Sequence, residues 1–321
     1  MMLRFGTVGT SAIMRLMQQA MAQVDGVECR AVYSRDAARG REFADSVGVA
    51  AVCTDYDALL AREDIDAVYI ASPNRFHAEQ ACLAMGAGKH VIVEKPAAVT
   101  GAEVQRMIDT ARENGVFFFE AITTLFMPKY LQCRALLPQL GAIQSAELCY
   151  AQYSSKYDAY LRGENPNIFN PAMQAGALND MGVYCVHVAA DLFGIPEGVR
   201  YVPELGENGI DLAGELTLTY PGLTVRIITA KNANLGSGCR VEGERGFFAE
   251  DGPMNDFGTC SAALDGAEVE IDAAHAGNRM VYELVRFRDA IAARDEAFFA
   301  RMARQSLMVA EILERAHGSG N

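Results

Sequence analysis

The chain has no hydrophobic run long enough to cross a bilayer, although 50% of its 321 residues are hydrophobic. Apolar stretches such as 116–120 and 186–193 are far shorter than the roughly 20 residues that a transmembrane helix needs. The N-terminal residues run into a glycine turn and lack the hydrophobic segment and cleavage site of a signal peptide. We therefore expect a cytoplasmic protein with no membrane partner.

Basic residues are few and dispersed, with 28 Lys and Arg against 41 Asp and Glu and a formal net charge of −13. Proteins that bind nucleic acid gather Lys and Arg on one face, because phosphates dominate the affinity. The sequence has no such cluster, so we expect no nucleic-acid partner. An acidic surplus of this size favours solubility.

Paired cysteines are also lacking. The eight Cys residues stand singly, with no Cys-x-x-Cys pair, and most have apolar neighbours. Structural zinc sites and redox-active thiols usually show close, regular spacing. Reduced and buried thiols are the favoured interpretation, and we predict no metal site.

Two different patterns divide the chain. From residue 1 to about 120, short apolar runs alternate with helical segments, which predicts a parallel sheet covered on both faces. After about residue 125, segments of alternating apolar and polar residues are separated by glycine turns, which is typical of an antiparallel sheet. We predict an α/β fold with a doubly wound, nucleotide-binding Rossmann domain at 1–122 and an α+β domain at 123–321.

The first predicted strand ends in a glycine turn that a helix follows. Gly9 occupies the first glycine of a G-x-G-x-x-G loop, whereas Ser11 and Met14 stand at the second and third. Such a turn lets backbone N–H groups at a helix N-terminus contact a pyrophosphate, although an ordinary turn is the alternative. The predicted dinucleotide contacts are Gly9, Thr10, Ser11, Ala12 and Ile13.

The second predicted strand ends in Ser34 and Arg35, with Arg39 one helical turn further on. Cofactors with a free ribose usually meet Asp or Glu at this point. A guanidinium and a hydroxyl suit a 2′-phosphate instead, which favours NADP while NAD stays possible. The alternative is that Ser34 caps the helix near Asp36 and the arginines are solvated.

Two more predicted strands end in polar residues, where ligands gather in an open parallel sheet. Pro96 has no N–H, so it stops the second of these strands and determines how Lys95 leaves the sheet. Helix capping and a solvated turn are the alternatives. The predicted cofactor contacts here are Ser72, Pro73, Asn74, His77, Glu94 and Lys95.

An acid, a phenol and an imidazole follow one another in the second half of the chain. If 177–193 is one helix, Asp180, Tyr184 and His187 lie on one face at i, i+4 and i+7. Apolar residues surround them, so these groups either satisfy one another or face a polar ligand. We predict that they bind substrate.

Three of these features together resemble the glucose-fructose oxidoreductase, inositol dehydrogenase and MocA family: the turn at Gly9, the Glu94-Lys95-Pro96 ending and the Gly-Ala-Leu-x-Asp-x-Gly-x-Tyr segment. The resemblance covers nearly the whole chain. It implies a Rossmann domain followed by an open-faced sheet, and NAD(P)-dependent oxidation of a sugar, polyol or cyclic diol.

By motif position, the resemblance implies that Lys95 is the catalytic lysine, Asp180 its supporting acid and Tyr184 the residue that transfers the proton. Substrate is then expected to contact Lys95, Asp180, Tyr184 and His187. The inositol dehydrogenase branch usually has His at the position of Tyr184. This chain is therefore more similar to the dimeric dihydrodiol dehydrogenase and NADP-dependent xylose dehydrogenase branch.

Several alternatives stay open at this point. Either Tyr184 or Lys95 could carry the proton, and the same residues would serve NADPH-dependent reduction of a keto-sugar. A non-catalytic NADP-binding sensor with this fold is the rival from another class. An open-faced sheet leaves an apolar surface that needs cover, so we expect a homodimer or homotetramer joined through the second domain.

Overall fold

A computed structural model describes residues 2–274 and 277–319, which form two compact units, each with its own sheet. The first unit comprises 2–98, 102–121 and 277–306, and the second comprises 99–101, 122–274 and 307–319. The division next to residue 122 lies where the sequence pattern changes. Segment 277–306 belongs to the first unit, however, which differs from the continuous second domain that we expected. Its Phe287 ring stacks on Phe119, with the ring centroids 4.8 Å apart.

The first unit alternates strands and helices. Its strands are β1 Leu3–Val8, β2 Val27–Tyr33, β3 Ala51–Cys53, β4 Ala67–Ile70, β5 His90–Glu94 and β6 Phe118–Ala121. The helices between them are α1 Ala12–Met21, α2 Ala37–Ser46, α3 Tyr56–Leu60, α4 His77–Gly86 and α5 Gly101–Glu113.

These strands form a parallel sheet in the order β3-β2-β1-β4-β5-β6. Strand β4 is buried along its whole length, as a strand covered by helices on both faces requires. Strands β2 and β3 lie on one side of β1, and β4, β5 and β6 lie on its other side. The order of the strands thus changes side between β1 and β4, and ligands bind outside the carboxyl ends of the strands at such a switch point. The predicted doubly wound Rossmann fold is confirmed.

The remaining elements follow β6. The strands are β7 Ile143–Ala151, β8 Gly198–Leu205, β9 Asp211–Tyr220, β10 Leu223–Ala230, β11 Gly236–Gly243, β12 Gly246–Glu250, β13 Cys260–Leu264 and β14 Ala267–Glu268. The helices are α6 Pro128–Leu136, α7 Tyr157–Leu161, α8 Val183–Phe193, α9 Met280–Ala293 and α10 Glu296–Gly318. Short 3-10 turns cover Asn74–Phe76, Thr123–Phe126, Leu137–Gln139, Asn167–Phe169 and Pro171–Met173, and a π-helical turn covers Leu178–Gly182.

The second unit contains an eight-stranded sheet in the order β14-β13-β12-β11-β7-β10-β9-β8. Strands β7 and β10 pair in parallel and the other neighbours are antiparallel, so the predicted mainly antiparallel sheet is confirmed. Helix α8 packs on one face, against β7 and β10.

The opposite face of this sheet is charged at its centre. Arg226 of β10 donates to Glu215 of β9 at 2.8 Å and lies 3.9 Å from Glu147 of β7. Arg240 of β11 is directly opposite Glu147 in the antiparallel pairing of β11 with β7. The uncovered face thus differs from the apolar surface that we expected. Among the described residues, no helix has the length and apolar character needed to cross a membrane.

Candidate active site

The turn after β1 brings two strand ends close together. Gly9 has a φ of +115°, and a Cβ atom there would lie 2.7 Å from the carbonyl oxygen of Ala71, which follows β4. Only glycine fits this approach without a shift of the backbone. The buried side chain of Met14, at the third glycine position of the motif, shows that α1 packs without a glycine there.

Helix α1 begins directly after this turn, with Ser11 as its N-cap. Ser11 and Ala12 are exposed, and the Ser11 side chain makes no capping hydrogen bond within the described part of the chain. The first N–H groups of a helix lack partners within the helix and carry a partial positive charge. The residues therefore fit a pyrophosphate group.

The end of β2 carries the predicted phosphate-binding arginines. The Ser34 hydroxyl donates to the carbonyl oxygen of Asp36 at 2.9 Å, and the Asp36 carboxylate accepts from the backbone N–H of Arg39 at 3.0 Å. Asp36 is therefore the N-cap of α2, and the alternative interpretation of Ser34 as that cap is wrong. Arg35 and Arg39 are exposed.

Arg75 is a basic residue that we did not predict for this edge of the sheet. The guanidinium carbons of Arg35 and Arg75 lie over the same Phe76 ring, 5.6 and 5.7 Å from its centroid. The ring brings the two cations to one place, which makes this corner attractive to an anion. The position of Arg75, one residue after the predicted contact Asn74, could have revealed it.

His77 connects two of the strand-end turns. Its buried ring places Nδ1 2.9 Å from the carbonyl oxygen of Pro96 and Nε2 2.8 Å from that of Ser72. Burial lowers the pKa of His77, so the ring is neutral and donates to one of the two carbonyls. The Ser72 hydroxyl donates to Gln80 at 2.7 Å, within the same turn and helix.

Lys95 leaves the sheet between two fixed neighbours. The buried Glu94 carboxylate accepts from the Tyr69 hydroxyl at 2.5 Å, and burial raises the pKa of Glu94. On the other side, the backbone N–H of Ala97 donates to Glu120 at 2.8 Å. The half-buried Lys95 thus starts from a backbone that is held before and after it.

The segment with the predicted acid and phenol is not one continuous α-helix. Leu178–Gly182 forms a π-helical turn and α8 starts at Val183, so the spacing of i, i+4 and i+7 on one α-helical face is wrong for Asp180. Asp180 lies in the π-helical turn, whereas Tyr184 and His187 lie on α8 and are buried. The Tyr184 ring makes an edge contact with Tyr150 of β7, at 5.6 Å between centroids.

Contacts with the sheet determine where the π-helical turn lies. The backbone N–H of Leu178 donates to Asp211 at 2.7 Å, and the Thr229 hydroxyl donates to the carbonyl oxygen of Ala177 at 2.9 Å. Gly176 has a φ of +101°, and a Cβ there would overlap the Asp211 carboxylate. The first glycine of the motif is therefore required for this approach.

Lys231 is the second residue that sequence reasoning missed. Its ammonium donates to the Asp180 carboxylate and forms an ion pair with it. Lys231 comes 51 residues after Asp180 and directly follows β10, and the π-helical turn that carries Asp180 packs on β10. The sequence has no local pattern that indicates the pair.

The structure thus assembles the predicted residues in two groups, each within its own unit. Thr10, Ile13, Pro73 and the other cofactor candidates lie at the carboxyl edge of the parallel sheet, and Asp180, Tyr184 and His187 lie on one segment of the second unit. Within 2–274 and 277–319, no group of three or more His, Cys, Asp or Glu side chains could hold a metal ion.

The strand order and the glycine turn at the switch point define the class of Rossmann-type dinucleotide-binding proteins. A family model described as "Oxidoreductase family, NAD-binding Rossmann fold" matches residues 3–122, and one described as "GFO/IDH/MocA C-terminal domain" matches 130–249. The chain therefore belongs to the GFO/IDH/MocA family of oxidoreductases.

Similar proteins are named dehydrogenases. The scyllo-inositol 2-dehydrogenase (NADP(+)) IolU of Bacillus subtilis is 37% identical over 250 residues, which cover 78% of this chain and 76% of the relative. The trans-1,2-dihydrobenzene-1,2-diol dehydrogenase of Mus musculus is 31% identical over 251 residues, covering 77% and 74%. These relatives confirm the predicted class, an NAD(P)-dependent oxidoreductase.

The fold is also that of a 3-ketoreductase from Actinomadura kijaniata, whose crystal structure holds NADP and TDP-benzene. The TM-score is 0.87 at 22% sequence identity, and the alignment covers 99% of this chain and 98% of the other. The roles predicted for individual site residues stay predictions.

We expect Gly9→Ala to weaken binding of NADPH by about tenfold or more, because its Cβ would push β1 away from Ala71 at a strain of about 1–3 kcal/mol. A fluorescence titration with NADPH measures the effect. Gly48→Ala is the matched control, since Gly48 also has a positive φ, of +74°, but no atom lies within 4 Å of the added Cβ. Equal affinity of both variants would contradict the assignment of this turn.

Proposed function

We propose that this protein is an NADP-dependent oxidoreductase that transfers a hydride between the cofactor and a CH–OH group of a sugar, polyol or cyclic diol. The observation that carries the proposal is the presence of three residues, Lys95 at a strand end and Asp180 and Tyr184 in one segment, in a chain of this oxidoreductase family. A sensor that only binds cofactor has no use for these residues.

The two arginines after β2 support NADP as the cofactor. Arg35 and Arg39 are exposed where an Asp or Glu would bind the free ribose of NAD. A guanidinium offers a fork of donors and a permanent charge, which suit a 2′-phosphate. The Bacillus subtilis relative, whose name includes NADP(+), agrees with this preference.

The nicotinamide ring supplies the hydride acceptor when NADP is bound. Loss of a hydride from an alcohol carbon requires that the hydroxyl proton leaves as well, so a base is needed. In our proposal the side-chain oxygen of Tyr184 takes up this proton, and Lys95 supplies a positive charge that favours the developing alkoxide. Asp180 accepts a hydrogen bond from a substrate hydroxyl. In the reverse direction the same groups would reduce a keto-sugar.

The uncovered sheet face of the second unit supports a homo-oligomer. Its residues Glu147, Arg226, Glu215 and Arg240 alternate in sign, so a second copy turned by a two-fold axis could pair opposite charges across the interface. We propose a homodimer through this face, with a homotetramer as the larger alternative.

A screen for NADP+ reduction with inositols, trans-dihydrodiols, pentoses and hexoses tests the proposed activity, and ketone substrates with NADPH test the reverse. With the best substrate at saturation, Tyr184→Phe and Lys95→Met are expected to lower kcat at least about 100-fold, because each removes a group that acts on the reacting proton. Initial rates of NADPH absorbance measure the loss.

Tyr220→Phe and Lys89→Met are the matched controls for these two variants. The Tyr220 hydroxyl donates to the carbonyl oxygen of Gly194, and the Lys89 ammonium donates to the carbonyls of Arg62 and Ile65. Both controls should keep kcat within a few-fold of the unaltered protein. Near-normal kcat in Tyr184→Phe and Lys95→Met would contradict the mechanism, and tight NADPH binding without turnover of any substrate would favour the sensor.

Arg35→Ala and Arg39→Ala are expected to raise the KM for NADP+ by about 10- to 100-fold and to leave the KM for NAD+ unchanged. The reason is the loss of charged hydrogen bonds worth about 1.5–3 kcal/mol each. Arg41→Ala, also on α2, is the control, because Arg41 donates to the carbonyl oxygens of Val49 and Ala50. A preference of the unaltered protein for NAD+ would overturn the cofactor assignment.

Arg226→Glu is expected to shift the protein toward monomer, because it places a third negative charge between Glu147 and Glu215. Sedimentation velocity measures the change. Arg245→Glu is the control: Arg245 lies in the turn between β11 and β12, and its partner Asp265, 2.6 Å away, lies between β13 and β14. An unaltered oligomer in Arg226→Glu would exclude this face as the interface.

A further inference from the structure

Lys231 is a buried cation with a single carboxylate partner in the described part of the chain. The residue is 2% exposed, and its ammonium contacts the Asp180 carboxylate and lies 5.6 Å from the centroid of the Phe169 ring. A buried ammonium is costly unless it is paired, so the ion pair and the aromatic face compensate for its lost hydration. The buried ammonium of Lys231 therefore needs the Asp180 carboxylate as its partner.

The backbone of Lys231 is held from both neighbouring strands. Its N–H donates to the carbonyl oxygen of Leu212 on β9 at 2.8 Å, and its carbonyl oxygen accepts from the N–H of Ser154, beyond the end of β7, at 2.8 Å. The backbone of Lys231 is therefore fixed by these two hydrogen bonds. The ion pair with Asp180 then costs only the conformational entropy of the side chain.

The two members of the pair differ in exposure. The Asp180 side chain is 25% exposed, whereas that of Lys231 is 3% exposed. The carboxylate can therefore meet a ligand, and the lysine lies behind it in the protein. Asp211 and Thr229 bind the backbone of the same turn, at Leu178 and Ala177, while Lys231 binds the carboxylate itself.

We infer that Lys231 is a positioning residue for the oxidoreductase reaction: it orients the Asp180 carboxylate as the acceptor of a substrate hydroxyl. This inference rests on the proposed function, in which Asp180 contacts the substrate. Ionised acceptors form hydrogen bonds roughly twice as strong as neutral ones, and a displacement of about 1 Å can cost on the order of 100-fold in rate.

The test compares Lys231→Met with Lys231→Arg in the full-length protein. We expect Lys231→Met to lower kcat/KM on the order of 100-fold and to leave the dissociation constant for NADPH unchanged. Lys231→Arg keeps a cation and should recover activity to within about tenfold of the unaltered protein. Lys129→Met is the control, because Lys129 lies in the same unit and donates to a backbone carbonyl, that of Gly258, at 2.6 Å.

A double variant distinguishes an effect on the reaction from a failure of Lys231→Met to fold. Lys231→Met alone removes the buried cation that contacts the Asp180 carboxylate, whereas Asp180→Asn with Lys231→Met removes both charges of the pair and is expected to fold. If Lys231 acts through Asp180, the double variant should lose no more activity than Asp180→Asn alone. Additive losses, or a normal kcat/KM in folded Lys231→Met, would overturn the inference.

The outcomes also separate this inference from the proposed function. If the unaltered protein turns over no alcohol or ketone, the proposed function fails and the inference falls with it. If the unaltered protein is active and Lys231→Met keeps its kcat/KM, only the role of Lys231 is refuted. Equal losses of kcat/KM in Lys231→Arg and Lys231→Met would also refute this role, because they would show that a positive charge at position 231 does not support the reaction.

Discussion

Parallel pairing of β1, β2, β4 and β5 is the constraint on which the candidate cofactor site depends. Because these strands run the same way, the turns after Val8, Tyr33, Ile70 and Glu94 all lie at one edge of the sheet. The ends of β1 and β4 pair at Val8 and Ile70, so residues more than 60 positions apart in the chain become neighbours on one edge. The absence of a side chain at Gly9 allows the first of these turns to approach the third.

Buried polar groups hold the two candidate groups in place. In the first unit, His77 joins the turn at Ser72 to the turn at Pro96 through two backbone carbonyls. In the second unit, Asp211 and Lys231 hold the π-helical turn against the sheet. Such groups are costly when unpaired, so each pairing favours one arrangement of its loop over others.

The periodicity of the sequence was sufficient to predict the long elements. Strands β2 and β5 show their patterns over several residues, and both end where they were expected, directly before Ser34 and directly before Lys95. Strand β3 and helix α3 have three and five residues, too few to show a period, and we did not predict them. The π-helical turn at Leu178–Gly182 was missed because its contacts come from β9 and β10, which are distant in sequence.

By itself, the sequence determined the fold class, the family and the candidates Lys95, Asp180 and Tyr184, because strand ends, glycine turns and short motifs are local features. Only the tertiary structure decided that Lys231 pairs with Asp180, that Arg75 joins Arg35 on one ring, and that segment 277–306 packs with the first unit. Each of these results depends on contacts between residues far apart in the chain. No spacing in the sequence encodes such contacts, since they arise when strands pair and side chains pack.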